Sequence, residues 1–139
     1  MPAGIGNKGK GPGRVWKPSR MKMRELANGI SAKIAWGENL MLSLVVLAPG
    51  ASVPEHSHPH EQMGILLSGS MKLSVCGKTD SLAVNDMYLV PGGVPHGAKA
   101  GPKGAVALDA FSPPREEYKP NRRPPGKNLA PQTKTSIGK

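Results

Sequence analysis

The stretch Gly50-Ala51-Ser52-Val53-Pro54-Glu55-His56-Ser57-His58-Pro59-His60-Glu61-Gln62-Met63-Gly64-Ile65-Leu66-Leu67-Ser68-Gly69, read together with Asn85 to His96, decides the fold of this chain. His56 and His58 stand two residues apart, Gln62 follows four residues later, and His96 arrives inside Pro91-Gly92-Gly93-Val94-Pro95-His96. Side chains on a strand alternate faces, so His56, His58 and Gln62 point the same way if the chain is roughly extended. Pro59 interrupts that extension, and His96 must come from a neighbouring strand. Imidazole nitrogen suits Fe, Mn, Ni, Zn or Cu, and an amide oxygen adds a weak neutral donor. The four donors, bounded by turn glycines, point to one divalent transition metal held inside a small β-barrel.

Strand signals continue on both sides of this stretch. Ile30 to Ala35 alternates loosely, and Leu40-Met41-Leu42-Ser43-Leu44-Val45-Val46-Leu47 is apolar on both faces. Either both faces of that run are covered within the fold, or one meets another subunit. Its β-branched pair and the Pro49-Gly50 stop favour a strand over a helix. Ile65-Leu66-Leu67 leads to an expected turn at Ser68-Gly69-Ser70. Met71, Leu73 and Val75 then alternate with Lys72 and Ser74, the pattern of a half-buried strand. A turn over Gly77 to Asp80, a strand at Met87-Tyr88-Leu89-Val90 and a last strand at Ala105 to Phe111 complete the series. Short strands with frequent turns indicate an all-β barrel or jelly roll.

These residues resemble the cupin family. Its first motif is Gly, five residues, His-x-His, three or four residues, Glu, six residues, Gly. Here it reads Gly50, His56, His58, Gln62, Gly69, with every spacing kept and Glu replaced by Gln. The second motif is Gly, five residues, Pro-x-Gly, two residues, His, three residues, Asn. Here it reads Asn85, Pro91, Gly93, His96, Ala100, with its core intact and both ends changed. The resemblance covers residues 40 to 115. It implies a double-stranded β-helix barrel, often dimeric, with a metal in its mouth. A homodimer is therefore expected.

Glutamine in place of glutamate changes the chemistry. Three neutral histidines and a neutral amide leave the full charge on a divalent ion, which makes it a stronger Lewis acid and favours an anionic ligand. The opposing reading is that the change weakens the site and no metal binds. His60 shares parity with His56 and His58. It is either a fifth ligand or a residue at the Pro59 bend that hydrogen-bonds locally. Glu55 and Glu61 have the opposite parity and should face away from the interior.

A second constellation closes the core: Asp109-Ala110-Phe111-Ser112-Pro113-Pro114-Arg115. An acid, an aromatic wall and a guanidinium beside a metal would suit a small carboxylate-bearing molecule. The alternative is a strand end at which Arg115 forms a structural ion pair with Asp109. The Gln62 position and the Asp109, Phe111, Arg115 spacing resemble the small cupins of pectin and alginate breakdown that linearise uronates. That resemblance implies catalytic roles for Asp109, Phe111 and Arg115, metal ligation by His56, His58, Gln62 and His96, and a 4,5-unsaturated monouronate as the anionic substrate. The alternatives are another metal-dependent cupin enzyme, a dioxygenase or small-acid lyase, and a non-catalytic binding protein.

The chain has 139 residues, one domain's worth, with 18 glycines and 15 prolines. Its net charge of +10 is unevenly placed. Residues 1–24 contribute +7 and residues 115–139 contribute +5, while the middle carries −2. The expected organisation is a disordered basic tail over 1–20, a barrel over 21–118 and a second disordered basic tail over 119–139. The tails could touch nucleic acid or anionic surfaces by simple charge attraction, but apart from Trp16 they lack the interleaved aromatics of single-strand binders, so the expected role is a solvated tail and nucleic acid is not indicated as a partner. No apolar run is long enough for a membrane helix and no secretory leader is evident. Cys76 is the single cysteine, which excludes an internal disulfide and fits a reducing, cytoplasmic setting. It is expected as a small packed strand residue.

Overall fold

The computed structural model describes residues 11–119. Eight antiparallel strands account for nearly all of its regular structure: β1 (Arg24–Ala27), β2 (Ile30–Trp36), β3 (Met41–Leu47), β4 (Ser52–His56), β5 (Glu61–Val75), β6 (Lys78–Leu82), β7 (Met87–Val90) and β8 (His96–Ser112). Among the described residues the helical content is two three-residue 3-10 turns, Pro18–Arg20 and Glu116–Tyr118. Among the described residues no helix is long and apolar enough to cross a membrane.

The two long strands organise everything else. The first half of β5 pairs with β7 and with the second half of β8, which continues through β3 and β2 to β1. The second half of β5 pairs with β6 and with the first half of β8, whose other neighbour is β4. One core lies between these two sets of strands. Ile30, Ile34, Met41, Val45, Leu47, Leu66, Met71 and Phe111 meet there. The architecture is a jelly-roll barrel, as the strand spacing predicts.

Strand β3 shows how sequence places residues in it. Met41, Ser43, Val45 and Leu47 are buried, while Leu42 on the opposite face is 47% exposed. The inner face is therefore covered within the fold, and the outer one presents apolar side chains to the surroundings. Along β8 the inward positions Ala98, Ala100, Ala105 and Ala107 are small. Small residues in the middle of the barrel leave room for a cavity near its mouth.

Several sequence expectations change. The expected turn at Ser68-Gly69-Ser70 is a bulged passage within the single strand β5, with register shifts between Leu66 and Ser68 and between Gly69 and Met71. Gly69 has φ 79°, and a Cβ there would run into the Gly104 carbonyl. Two glycine backbones thus approach where β5 and β8 bend together, which only glycine permits without displacement. Cys76 is exposed rather than packed. It sits with Gly77 in the two-residue hairpin between β5 and β6, at φ 52° and 85°. Positive φ at both central positions is the requirement of a type I′ turn. The turn expected over Gly77 to Asp80 is therefore one step earlier, and Lys78 already belongs to β6.

Within residues 11–20, assigned by sequence to the basic tail, Trp16 and Pro18 lie against β2. The Trp16 and Trp36 ring centroids lie 6.1 Å apart, and Lys33 Nζ donates to the Pro18 carbonyl at 2.7 Å. The remaining tail expectations, over 1–10 and 120–139, lie outside the described residues.

Candidate metal centre

The three histidines come from three different pieces of chain. His56 ends β4, His58 lies in the connection to β5, and His96 begins β8 directly opposite His56 in register. Pro59 does break the extended run. His58 reaches the site through a turn held by the Gly93 N–H, which donates to the His58 carbonyl at 2.8 Å. Gly92 is equally constrained, because a Cβ there would overlap the Pro59 carbonyl. The glycines after Pro91 are thus explained by two needs: a positive φ of 85° at Gly93 and close approach to Pro59 at Gly92.

One ligand atom from each of His56, His58 and His96 lies within 4.8 Å of the others. Each ring is oriented by a backbone carbonyl. His56 Nδ1 bonds to Pro54 at 3.0 Å, His58 Nδ1 to His60 at 3.1 Å and His96 Nδ1 to Val94 at 3.0 Å. A carbonyl can only accept, so each Nδ1 carries the hydrogen. Each neutral ring then has its lone pair on Nε2, available to a metal. Burial, chiefly, pushes the His56 pKa down to about 4 and that of His58 to about 3, and lowers that of His96. Neutral imidazoles are the protonation state a ligand requires. The three histidines are positioned to bind a metal.

Gln62, near the start of β5, supplies a further observation. Its Oε1 stands 3.1 Å from His58 Nε2. Since His58 Nδ1 carries the hydrogen, two acceptors face one another at that distance. A cation between them resolves the conflict, so the donor set fits a metal ion. His60 does not join the cluster. Its carbonyl orients His58, and its Nδ1 is buried without a partner among the described residues. Glu55 and Glu61 are exposed, as their parity predicts.

The second constellation gathers beside the histidines. Asp109 is 8% exposed and accepts from Tyr88 OH at 2.5 Å and from the Gln62 amide. Burial, opposed by those hydrogen bonds, raises its pKa to about 6. Phe111 meets His58 edge-on, with centroids 5.8 Å apart. Arg115 is not the ion-pair partner of Asp109. Its guanidinium lies 4.1 Å from the centre of the Tyr118 ring and 5.3 Å from that of Phe111, and bonds to the Glu117 carboxylate through Nε at 3.2 Å and Nη2 at 3.1 Å. Arg24 holds this terminal turn over the barrel by donating to the carbonyls of Glu117 and Lys119 at 2.9 and 3.1 Å.

A cavity of about 90 Å³ connects these groups, lined by His56, Gln62, Tyr88, His96, Asp109 and Arg115. Ser43, the cross-strand neighbour of Asp109, also lines it, with its Oγ buried and unpartnered among the described residues. A larger groove of about 490 Å³ runs along β4, β5, β6 and the start of β8, and is lined by His96 but by neither Asp109 nor Arg115. Sequence reasoning missed Tyr88, Ser43, Tyr118 and Glu117. The first two were detectable as polar groups at inward positions of apolar strands. The last two contact Arg115 only through the terminal turn.

A family model described as "Cupin domain" matches residues 43–111. The "Pectin degradation protein KdgF" of Dickeya dadantii (strain 3937) is 33% identical over 96 residues, spanning 68% of this chain and 87% of that protein. The chain belongs to the cupin family. The solved KdgF from Halomonas sp. superposes on this cupin with a TM-score of 0.74 at 27% identity, covering 78% of this chain and all of the other. The "H2HPP isomerase" of Bacillus subtilis is 29% identical over 79 residues, 56% of this cupin but only 34% of the isomerase.

Proposed function

We propose that this cupin holds one divalent transition metal through His56, His58, Gln62 and His96, and converts 4,5-unsaturated monouronates to their linear keto form. The observation that carries the reading is a buried carboxyl group, Asp109, lining one cavity with His56 and His96 of the three-histidine cluster, Gln62 and Arg115. The similarity to a pectin degradation protein supports the substrate class. Bound there, the metal would supply Lewis acidity toward substrate oxygens.

The residues divide the remaining work. The conversion is an isomerisation. The anomeric hydroxyl loses a proton as the ring C1–O bond breaks, and carbon 4 gains one as the resulting enol becomes a ketone. Asp109, with its pKa raised to about 6, can both accept and return that proton near neutral pH. Arg115 binds the substrate carboxylate by charge-assisted hydrogen bonds, exchanging it for Glu117. Phe111 forms a wall against one face, and the free Ser43 hydroxyl offers a partner to a sugar hydroxyl.

We also assign a homodimer, formed through the outer face of the sheet. Leu42 on β3, Met63 on β5 and Leu89 on β7 are respectively 47%, 55% and 47% exposed. They belong to strands joined through β8, with Leu42 and Met63 both paired to Ala110 and Leu89 paired to Met63. Apolar side chains exposed in register on neighbouring strands offer a face for a second copy of the chain. An exposed Cys76 in reduced form fits a cytoplasmic setting.

The test is turnover. Metal-loaded protein is mixed with unsaturated monouronate produced by a pectin or alginate lyase, and the ultraviolet band of the conjugated double bond is followed together with the appearance of the keto acid. Absence of acceleration over the spontaneous rate overturns the reaction. Acceleration by the parent, with kcat of Asp109→Asn reduced by roughly two to four orders of magnitude at saturating metal and verified metal content, supports the proton role.

A further inference from the structure

A metal site built from three histidines and a glutamine has one weak point. Each histidine ring is fixed by a backbone carbonyl, which dictates the nitrogen it presents. The amide of Gln62 has no such constraint of its own. Its oxygen and its NH2 group have almost the same shape, and a half-turn about the last side-chain bond exchanges an electron-pair donor for a pair of N–H hydrogens. An amide presenting NH2 to the ion repels it. Something must therefore distinguish the two ends.

Among the described residues, Asp109 also hydrogen-bonds this amide, and the pairing of Gln62 with Phe111 and of Gly64 with Asp109 sets the two side chains diagonally on one face of the sheet. A carboxylate accepts hydrogen bonds and donates none, so it engages the NH2 end and leaves Oε1 facing His58. Asp109 is in turn held by Tyr88, whose hydroxyl donates to Oδ1 at 2.5 Å. The register explains why a tyrosine on β7 reaches an acid on β8. Gly64 of β5 pairs with Tyr88 on one side and with Asp109 on the other. A Cβ at Gly64 would overlap both Asp109 Oδ1 and the end of the Tyr88 ring. The tyrosine crosses the strand between them because that strand has no side chain at the crossing. Tyr88, Gly64 and Asp109 thus form one row built for this reach.

We propose that Tyr88 is a positioning residue of the metal centre: lying over Gly64, it anchors Asp109, and Asp109 holds the Gln62 amide with its oxygen, not its NH2 group, toward the three histidines. The inference rests on the metal-binding part of the reading above and is independent of the substrate. It also makes Asp109 a support of the metal as well as a group facing the cavity.

The experiment uses the full chain and reads metal binding without substrate. The dissociation constant for Co²⁺ is measured by chelator competition, and the visible spectrum of the Co²⁺-loaded protein reports the ligand set. Tyr88→Phe keeps the ring over Gly64 and deletes only the hydroxyl. The expected result is roughly a 10–100-fold weaker dissociation constant, the range typical for losing an outer-shell partner of a ligand, with an altered visible spectrum. A ring that merely fills space over Gly64 predicts instead that Tyr88→Phe binds Co²⁺ with the parent affinity and spectrum, and that result overturns the proposal whatever happens to the melting temperature. Asp109→Asn provides a second arm should Tyr88→Phe fail to fold. It places an NH2 group against the amide, so Gln62 should turn its own NH2 toward His58 and Co²⁺ affinity should fall at least as far. Unchanged affinity in Asp109→Asn likewise overturns it. If the parent binds no Co²⁺, both this inference and the metal assignment fall. If the parent binds Co²⁺ but turns over no uronate, only the reaction falls.

Discussion

Replacing Asp109 by Asn in the metal-free protein should raise its stability, and the gain should depend on pH. Asp109 is buried, and its pKa rises from 3.8 to about 6 in the folded state. The folded protein therefore binds this proton more tightly than the unfolded chain does. A raised carboxyl pKa means that stability relative to a residue that cannot ionise is lost as pH rises from 3.8 through 6. At about 1.4 kcal/mol per pH unit, the full cost at pH 7 is about 3 kcal/mol, and at pH 5 about half of that. Asparagine keeps an oxygen for the Tyr88 hydroxyl. With Gln62 turned over, it also keeps a partner for that amide, while the Gln62 NH2 group gains the His58 Nε2 acceptor. The attraction to Arg115 is already part of that raised pKa, so the gain stays at about 3 kcal/mol at pH 7, or on the order of 15 °C in melting temperature for a domain of this size. Chelator-treated parent and variant should be unfolded by urea at several pH values between 3 and 8. The two curves should coincide near pH 3 and separate as pH rises. A variant that is less stable than the parent at pH 8, or a difference that does not change with pH, would refute the reasoning and return Asp109 to a purely structural role. Loading with metal should shrink the difference, because a nearby cation stabilises the carboxylate and because the variant holds the ion more weakly.

Further outcomes are open to direct measurement. His58→Ala or His96→Ala should lose most bound metal by elemental analysis, whereas His60→Ala should retain it, because only the carbonyl of His60 serves the cluster. Arg115→Ala should chiefly raise KM for an anionic substrate, and Glu117→Gln should lower it, since Glu117 occupies the guanidinium that the substrate carboxylate would take. A steady-state titration showing KM unchanged in both variants would remove Arg115 from substrate binding. Leu42→Glu should convert a dimer to a monomer by sedimentation, with metal content preserved, because it charges the outer sheet face without touching the cavity. A parent that already sediments as a monomer would contradict the dimer assignment.

Much of the site was legible because its chemistry is local. The His56-x-His58 spacing, the Gln62 offset and the Pro91-x-Gly93-x-x-His96 turn each need only a few neighbouring residues to express their geometry. The period-two pattern of Met71, Leu73 and Val75 likewise marks a half-buried strand without knowledge of its partner. Other features were legible in kind and misplaced in detail. Glycine at 69 announced a break, but a turn and a bulge use the same residue; the choice was made by the Gly104 backbone on β8. Cys76 looked packable from its strand-like neighbours, and was placed at a hairpin tip by the positive φ it shares with Gly77.

Residue type and spacing alone specify the barrel class, the three imidazoles and the acid, aromatic and arginine at the last strand's end. Their partners are set by the folded arrangement of the strands. Asp109 is tied to Tyr88 rather than to Arg115, and Arg115 to Glu117, because strand register and the terminal turn set those contacts. Register across three strands brings residues 64, 88 and 109 into one row. That alignment depends on the closure of the whole sheet, and no local pattern in the chain encodes it.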